Sequence, residues 1–360
     1  MSKKKQIIQH PFVLAICGFS NSGKTTLIEK LVSKLSANYK IGFLKNDAHN
    51  VNVDHEGKDT FRIKKAGANS VLINDKNGFA AYGDGEVFQS EVFSRSDIVI
   101  AEGWKYSKMP KIVVLDEANE IKTEIESNKI QNILATIGPV TGEGQFNVPH
   151  FQRDQMGAIS EFIENYFKSL VSSVPVKGLV LAGGKSTRMQ RDKSYLNYHG
   201  KAQAEIIYEL LDPYCDETFI SCRSEQNYPY PRLEDSYLAK GPMGGILSAM
   251  DMDSECAWLV VACDLPMVDE KTIEYLIENR NPLKVATTYL SADQHLPEPL
   301  CTIYEPHCKA VLFRYLSYNI RCPRKVLINS NVQNLDLLNA NALMNCNTPE
   351  EHSAFIKSQK

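Results

Sequence analysis

Two runs of residues in this chain could handle a nucleotide, and they ask for different chemistry. Gly18-Phe19-Ser20-Asn21-Ser22-Gly23-Lys24-Thr25 fits the spacing G-x-x-x-x-G-K-[ST] in full. In that arrangement the backbone N–H groups of Ser20, Asn21, Ser22, Gly23 and Lys24 wrap phosphates at the positive end of a helix. Lys24 reaches the terminal phosphates, Thr25 offers its hydroxyl to Mg²⁺, and Thr26 continues the helix start. The second run is Leu181-Ala182-Gly183-Gly184-Lys185-Ser186-Thr187-Arg188-Met189, followed by Asp192-Lys193. Small residues here let a base and phosphates approach the backbone, and Lys185, Arg188 and Lys193 offset triphosphate charge. A departing pyrophosphate needs that compensation, because charge accumulates on it as the bond to the α-phosphate breaks. It also needs a carboxylate to hold Mg²⁺ between α-phosphate and nucleophile. Asp264 meets this need at the end of the apolar run 257–263, where open α/β sheets bind ligands. Oxygen donors suit Mg²⁺ rather than zinc.

The elements that must position these residues follow from hydrophobic spacing. Phe12 to Cys17 is a continuous apolar stretch of strand length, and apolar residues at 27, 28, 31, 32 and 35 have helical spacing. Strand, glycine loop and helix is the context that turns a loop pattern into a nucleotide site. Further strands are expected at 41–44, 98–101, 112–115 and 133–136, with an amphipathic helix near 155–170. Ser172-Ser173-Val174-Pro175 is a polar break. The pattern restarts at 178–182, with strands at 217–221, 257–262 and 286–289 and helices near 203–212, 244–252 and 270–279. The chain therefore predicts two α/β domains, 1–170 and 177–360, joined by a linker at 171–176. Glu102, at the end of a strand in Ala101-Glu102-Gly103-Trp104-Lys105, is placed to orient Mg²⁺ or a water, though a plain strand-end acid reads the same way.

Composition bounds the reading. With 360 residues, 43% hydrophobic and 23% charged, the chain has the make-up of a globular protein too long for one ordinary core. A net charge of −3 excludes a dedicated nucleic-acid binder, which would carry a basic surplus. Nine cysteines include no C-x-x-C pair, which suits reduced thiols and a cytoplasmic location better than a disulfide framework or a zinc site; Cys17 and Cys263 lie in apolar runs and read as core. No run approaches the ~18 apolar residues of a membrane helix, so no membrane partner is expected.

Beyond the phosphate loop, the first half carries Lys45-Asn46-Asp47-Ala48-His49, Asp54-His55-Glu56-Gly57-Lys58-Asp59-Thr60, Lys64-Lys65-Ala66-Gly67-Ala68 and the Glu102-Gly103-Trp104-Lys105 run. Together these closely resemble the MobB family of GTP-binding accessory proteins of molybdopterin-guanine dinucleotide synthesis, over roughly residues 10–165. The family usually has His where this chain has Asn46. The second half resembles the MobA family, the molybdenum cofactor guanylyltransferases, over roughly residues 176–356. It carries Leu181-Ala182-Gly183-Gly184, Arg188-Met189, Asp192-Lys193, Gly241-Pro242-Met243-Gly244-Gly245, Cys263-Asp264-Leu265-Pro266 and Asn345-Cys346-Asn347-Thr348-Pro349-Glu350 in family order. Two positions depart from that family: Gln190 stands where Gly is favoured, and Arg223 lies nearest to a frequent Asn.

The resemblance implies a P-loop NTPase fold followed by a Rossmann-like nucleotidyltransferase fold of the nucleotide-diphospho-sugar transferase type. It implies GTP contacts from Leu181, Ala182, Gly183, Gly184, Lys193 and Arg223, and places Asp235 in the guanosine region. Catalytic roles fall to Lys193 and Arg188 for charge and to Asp264 for Mg²⁺. Asn345 and Asn347 lie near the pterin; Asn347-Thr348-Pro349-Glu350 also reads as an ordinary helix cap. The implied reaction is GMP transfer from Mg-GTP to molybdopterin carrying molybdenum, with a slow GTPase or GTP-holding role for the first half. Implied partners are a second copy, through the first domain, and molybdoenzymes or their chaperones. Two rivals stand beside it: transfer to another small phosphate such as a sugar 1-phosphate, and a GTP-dependent carrier or regulator with an inactive transferase half.

Overall fold

The computed structural model describes residues 11–45, 56, 58–76, 78–83, 92–116, 120–139, 146–183, 201–237 and 240–344. The chain divides into two compact units, one over His10–Ser160 and one from Glu161 onward. The division falls inside a 16-residue helix, Met156–Val171, whose Ile159, Ile163, Phe167 and Val171 share one buried face at i, i+4 spacing. Both units are α/β, as the strand-and-helix alternation predicts.

In the first unit, β1 (Phe12–Cys17), β2 (Ile41–Lys45), β5 (Ile98–Glu102), β6 (Lys111–Val114), β7 (Ile133–Ile137) and β8 (His150–Phe151) form one sheet in the order β2-β5-β1-β6-β7-β8. All five pairings are parallel. Strand β1 is hydrogen-bonded on both sides, so its residues face core above and below, which is why it reads as an unbroken apolar run. The helix after it, α1 (Lys24–Leu35), buries Leu27, Ile28, Leu31 and Leu35. A short helix, α2 (Asp59–Lys65), leads into an antiparallel hairpin of β3 (Ser70–Asn74) and β4 (Phe79–Gly83) that stands apart from the sheet. A further helix, α3 (Glu120–Glu126), joins β6 to β7 and buries Ile121.

The second unit is a seven-stranded mixed sheet. Its strands are β9 (Val176–Leu181), β10 (Thr218–Cys222), β11 (Arg232–Glu234), β12 (Ala257–Ala262), β13 (Ala286–Leu290), β14 (Pro297–Tyr304) and β15 (Gln333–Leu335), in the order β11-β10-β9-β12-β14-β13-β15. Strands β9 to β12 pair in parallel, β14 runs antiparallel to both neighbours, and β15 runs parallel to β13. Helices Gln203–Leu211, Pro242–Met252, Glu270–Glu278, Cys308–Ser317 and Pro323–Ile328 complete it; numbering the 156–171 helix α4, these are α5 to α9. Trp258 and Tyr304 are fully buried at its centre, where Trp258 Nε1 donates to Asp253 O at 3.1 Å and Tyr304 Oη to Pro299 O at 2.9 Å.

Each apolar run expected as a strand is one. The expected set lacks β3, β4, β8, β11, β14 and β15; in β14, Pro297 and Pro299 remove ladder donors, which disfavours an interior strand. The structure places β14 between β12 and β13 all the same. The eight described cysteines are free thiols, with Cys17 and Cys263 in the core as their apolar surroundings predict. Among the described residues, no helix is long and apolar enough to cross a membrane.

One interior charge pair fastens the second unit. Arg280 donates Nε to Glu305 Oε1 and Nη2 to Oε2, both at 2.8 Å, and Nη1 to Val174 O at 3.2 Å, while Glu305 is 1% exposed. Removing one partner strands a buried charge. Glu305→Ala is therefore expected to lower stability by about 3 kcal/mol, and pairing Arg280→Met with Glu305→Leu to recover most of it. Chemical denaturation of the three proteins checks this.

Candidate nucleotide sites

The glycine loop of the first unit leaves the C-terminal end of β1 and turns into α1. Two residues adopt left-handed backbone there: Asn21 at φ 62° and Gly23 at φ 80°. Gly18 is required by space, since a Cβ would stand 2.7 Å from both Val114 O and Ser22 Oγ. The loop folds back on its own lysine, with Lys24 Nζ donating to Phe19 O at 2.5 Å. Burial lowers the Lys24 pKa, and the Glu102 charge works in the opposite direction. Ser22 is 5% exposed, and its hydroxyl has no hydrogen-bond partner among the described residues.

Glu102 ends β5, in register with Ile16 of β1, and this places it over the helix start. Thr25 Oγ1 lies 3.4 and 3.3 Å from its two carboxylate oxygens. A hydroxyl and a 9%-exposed carboxylate, both hard oxygen donors, fit Mg²⁺ beside a phosphate loop. The structure thus brings together Ser20, Asn21, Ser22, Gly23, Lys24, Thr25, Thr26 and Glu102. Lys105, just beyond, holds Glu124 Oε2 at 2.7 Å and lies 4.2 Å over the Phe19 ring. Burial opposes its charge, but the bonds to Glu124 and Tyr106 outweigh that and raise its pKa. Asn46, His49 and the 54–55 stretch lie outside the described residues.

In the second unit, parallel pairing of Ala262 with Leu181 sets the C-terminal ends of β9 and β12 side by side. Cys263 N donates to Leu181 O at 3.2 Å, so Asp264 leaves β12 beside Leu181, Ala182 and Gly183. Ala182 is fixed on its other side, by its N–H to Ser221 O at 2.9 Å and its carbonyl to Gln226 Nε2 at 3.1 Å. At Gly183 a Cβ would meet nothing closer than 3.8 Å among the described residues. Among the described residues, packing does not demand glycine there.

Other expected positions divide. Asp235 follows the edge strand β11; its Oδ1 accepts from Tyr237 N at 2.8 Å and from Ser248 Oγ at 3.1 Å, so one oxygen is committed to the loop. Arg223 follows β10; its N–H donates to Gln226 Oε1 at 2.8 Å and its Nη1 lies 3.2 Å from Glu225 Oε1. Gly184, Arg188, Gln190, Lys193, Asn345 and Asn347 lie outside the described residues. The Gly241–Gly245 run is a seating device. A Cβ at Gly244 would stand 2.6 Å from Asp235 Oδ2 and Tyr237 O, and one at Gly245 2.7 Å from Ser221 Oγ and 2.8 Å from Leu181 Cδ2. These glycines let α6 settle onto the ends of β9 and β10, where it supports Leu181.

Sequence reasoning missed the buried pair Glu298–Arg324. Arg324 Nη2 meets Glu298 Oε2 at 2.6 Å and its Nε donates to Pro297 O at 3.2 Å. Burial raises the Glu298 pKa, Arg324 works against that, and the Asp264 charge adds to it, so Glu298 belongs to the surroundings of Asp264. Its only signal is a charge in a proline-rich strand, which does not separate it from a surface acid.

These features define the class: a P-loop nucleotide-binding domain followed by a Rossmann-like domain of the nucleotidyltransferase type. Residues 13–138 match the model of molybdopterin guanine dinucleotide synthesis protein B, and residues 178–332 that of the MobA-like NTP transferase domain. The "Molybdenum cofactor biosynthesis bifunctional protein" of Synechocystis is 38% identical over 190 residues, 51% of this chain and 55% of that one. The "Molybdopterin-guanine dinucleotide biosynthesis adapter protein" of Haemophilus influenzae is 32% identical across 43% of this chain and 88% of its own. A "Probable molybdenum cofactor guanylyltransferase" of Clostridium perfringens is 32% identical across 39% of this chain and 71% of its own. The chain belongs to the molybdopterin guanine dinucleotide synthesis protein B family through its first unit and to the MobA-like NTP transferase family through its second.

The glycine seating yields a prediction. Gly244→Ala forces its methyl against Tyr237 O and Asp235, a strain of about 1–3 kcal/mol, and thermal unfolding should show a lower midpoint. Gly183→Ala, whose Cβ would meet only ordinary contacts at 3.8–3.9 Å among the described residues, should leave the midpoint unchanged.

Proposed function

We propose that this chain transfers GMP from Mg-GTP to the terminal phosphate of molybdopterin carrying molybdenum. A phosphate oxygen of the acceptor attacks the α-phosphorus, the bond from that phosphorus to the bridging oxygen breaks, and pyrophosphate leaves. The observation that carries this reading is the meeting of Leu181, Ala182 and Gly183 with Asp264 at the adjoining ends of β9 and β12. The small residues bring backbone to the nucleotide, with Gly183 leaving room for a purine, and Gly184, Arg223 and Asp235 extend the nucleoside wall. Arg188 and Lys193 offset charge on the leaving pyrophosphate. Asp264, a hard oxygen donor at the end of β12, is the residue proposed to hold Mg²⁺, which when bound would neutralise phosphate charge and align the reacting groups. A phosphate dianion needs little help from a base, so no general base is assigned. Asn345 and Asn347 are the polar contacts for the pterin.

The first domain, 1–170, is proposed as a GTP-binding accessory joined by the linker 171–176 to the transferase domain, 177–360. Ser20 to Thr26 hold the triphosphate, and Thr25 and Glu102 the Mg²⁺. A second copy is its proposed partner, with molybdoenzymes or their chaperones taking the product and the cytoplasm as its place of work. Ile63, Leu72, Ile73 and Phe79 of α2 and the hairpin are 52–67% exposed, an apolar surface that a second copy would cover.

Pyrophosphate release from GTP and molybdopterin tests the reaction. Asp264→Asn is expected to lower it by more than about 100-fold, the usual size of a lost electrostatic contact in the transition state. Undiminished release, or a preference for a sugar 1-phosphate as acceptor, would overturn the reading. Phe79→Glu is expected to shift the protein to monomer in sedimentation, leaving pyrophosphate release intact.

A further inference from the structure

The geometry points to Arg153 as the residue that reads the base of the nucleotide held by the loop at 18–25, through the O6/N7 edge of guanine. This rests on the proposed use of that loop as a nucleoside triphosphate site. Direction comes first. Phosphates at the β1–α1 turn have two ways to extend along the C-terminal edge of the sheet. On the β5 side stand Thr25 and Glu102, oxygen donors that suit the metal and the terminal phosphates. The nucleoside is left the other way, over the ends of β6, β7 and β8.

Arg153 lies on that side. It follows β8 in the chain, and its guanidinium reaches back across the ends of β7 and β6 to the loop. Nη2 donates to Leu115 O at 3.1 Å, just past β6. A Cβ at Gly23 would stand 2.8 Å from Nη1 and 3.7 Å from Cζ, so the planar group rests on the glycine before Lys24. Gly138, at the end of β7 with φ 149°, packs its backbone against Leu115, where a Cβ would stand 3.0 Å from Leu115 O. The side chain is exposed and, among the described residues, meets no carboxylate.

The chemistry then selects. A guanidinium offers parallel N–H donors, and guanine presents two acceptors, O6 and N7, at matching spacing. Adenine places an amino donor where guanine has O6, so the same fork meets one acceptor and one repelling donor. Lysine has a cation but no fork.

Fluorescent-nucleotide titration of the full chain tests this with GTP, ATP and inorganic tripolyphosphate as competitors, for the wild type, Arg153→Met and Arg153→Lys. Arg153→Met is expected to weaken GTP about tenfold or more, the scale of a lost bidentate base contact. ATP and tripolyphosphate should hold their affinities, and Arg153→Lys should behave like Met. Loss of tripolyphosphate binding along with GTP would make Arg153 a phosphate ligand and overturn the assignment, as would an unchanged preference for GTP over ATP. Should the wild type bind neither GTP nor tripolyphosphate, it is the use of the loop that fails. Circular dichroism of each variant confirms that the first unit stays folded.

Discussion

Each unit depends on one strand hydrogen-bonded in parallel on both sides, β1 in the first and β9 in the second. A strand so enclosed cannot shift register without moving its neighbours, and its C-terminal end is held in three dimensions. Both glycine-rich runs leave from such an end. The carboxylate of each site arrives on an adjacent parallel strand: Glu102 on β5 beside β1, and Asp264 after β12 beside β9. One backbone constraint, parallel pairing, therefore places a phosphate-approaching turn and an acid next to each other twice, in folds with different strand orders.

The two sites then diverge by local chemistry. In the first, the loop closes on Lys24, two residues take left-handed backbone, and a hydroxyl faces a carboxylate. In the second, Leu181 and Ala182 are held by backbone and side-chain hydrogen bonds with Cys263, Ser221 and Gln226, and the acid beside them has further charge in its surroundings from Glu298 and Arg324. The first loop is closed on its own lysine, whereas the second segment is fixed by hydrogen bonds with neighbouring strands and with Gln226.

Packing glycines and ligand glycines are separated only by what surrounds them. Gly244 and Gly245 stand in a run that marks the transferase family, yet each is required by a protein atom 2.6–2.8 Å from where its Cβ would be. Gly183 stands in a similar run and is required by no described atom. A glycine pattern read along the chain shows no such difference, because the deciding neighbours come from Asp235, Tyr237, Ser221 and Leu181.

Much of this protein was legible in one dimension, for physical reasons. Buried parallel strands must be apolar throughout, so β1, β5, β9 and β12 announce themselves; a phosphate loop needs its glycines and lysine at fixed spacing, so 18–25 does too. The position of Asp264 at a strand end was legible because the apolar run 257–263 stops just before it. Tertiary structure alone decided the rest. It put β14 inside the sheet despite two prolines, since antiparallel neighbours and a buried Tyr304 outweigh the missing donors. It paired Arg280 with Glu305 and Arg324 with Glu298 across 25 and 26 residues of chain, and carried Arg153 from the far edge of a sheet onto Gly23. Spacing along a sequence encodes contacts within one turn or one strand. Contacts between strand ends depend on strand order, and the order β2-β5-β1-β6-β7-β8 is written nowhere in the chain.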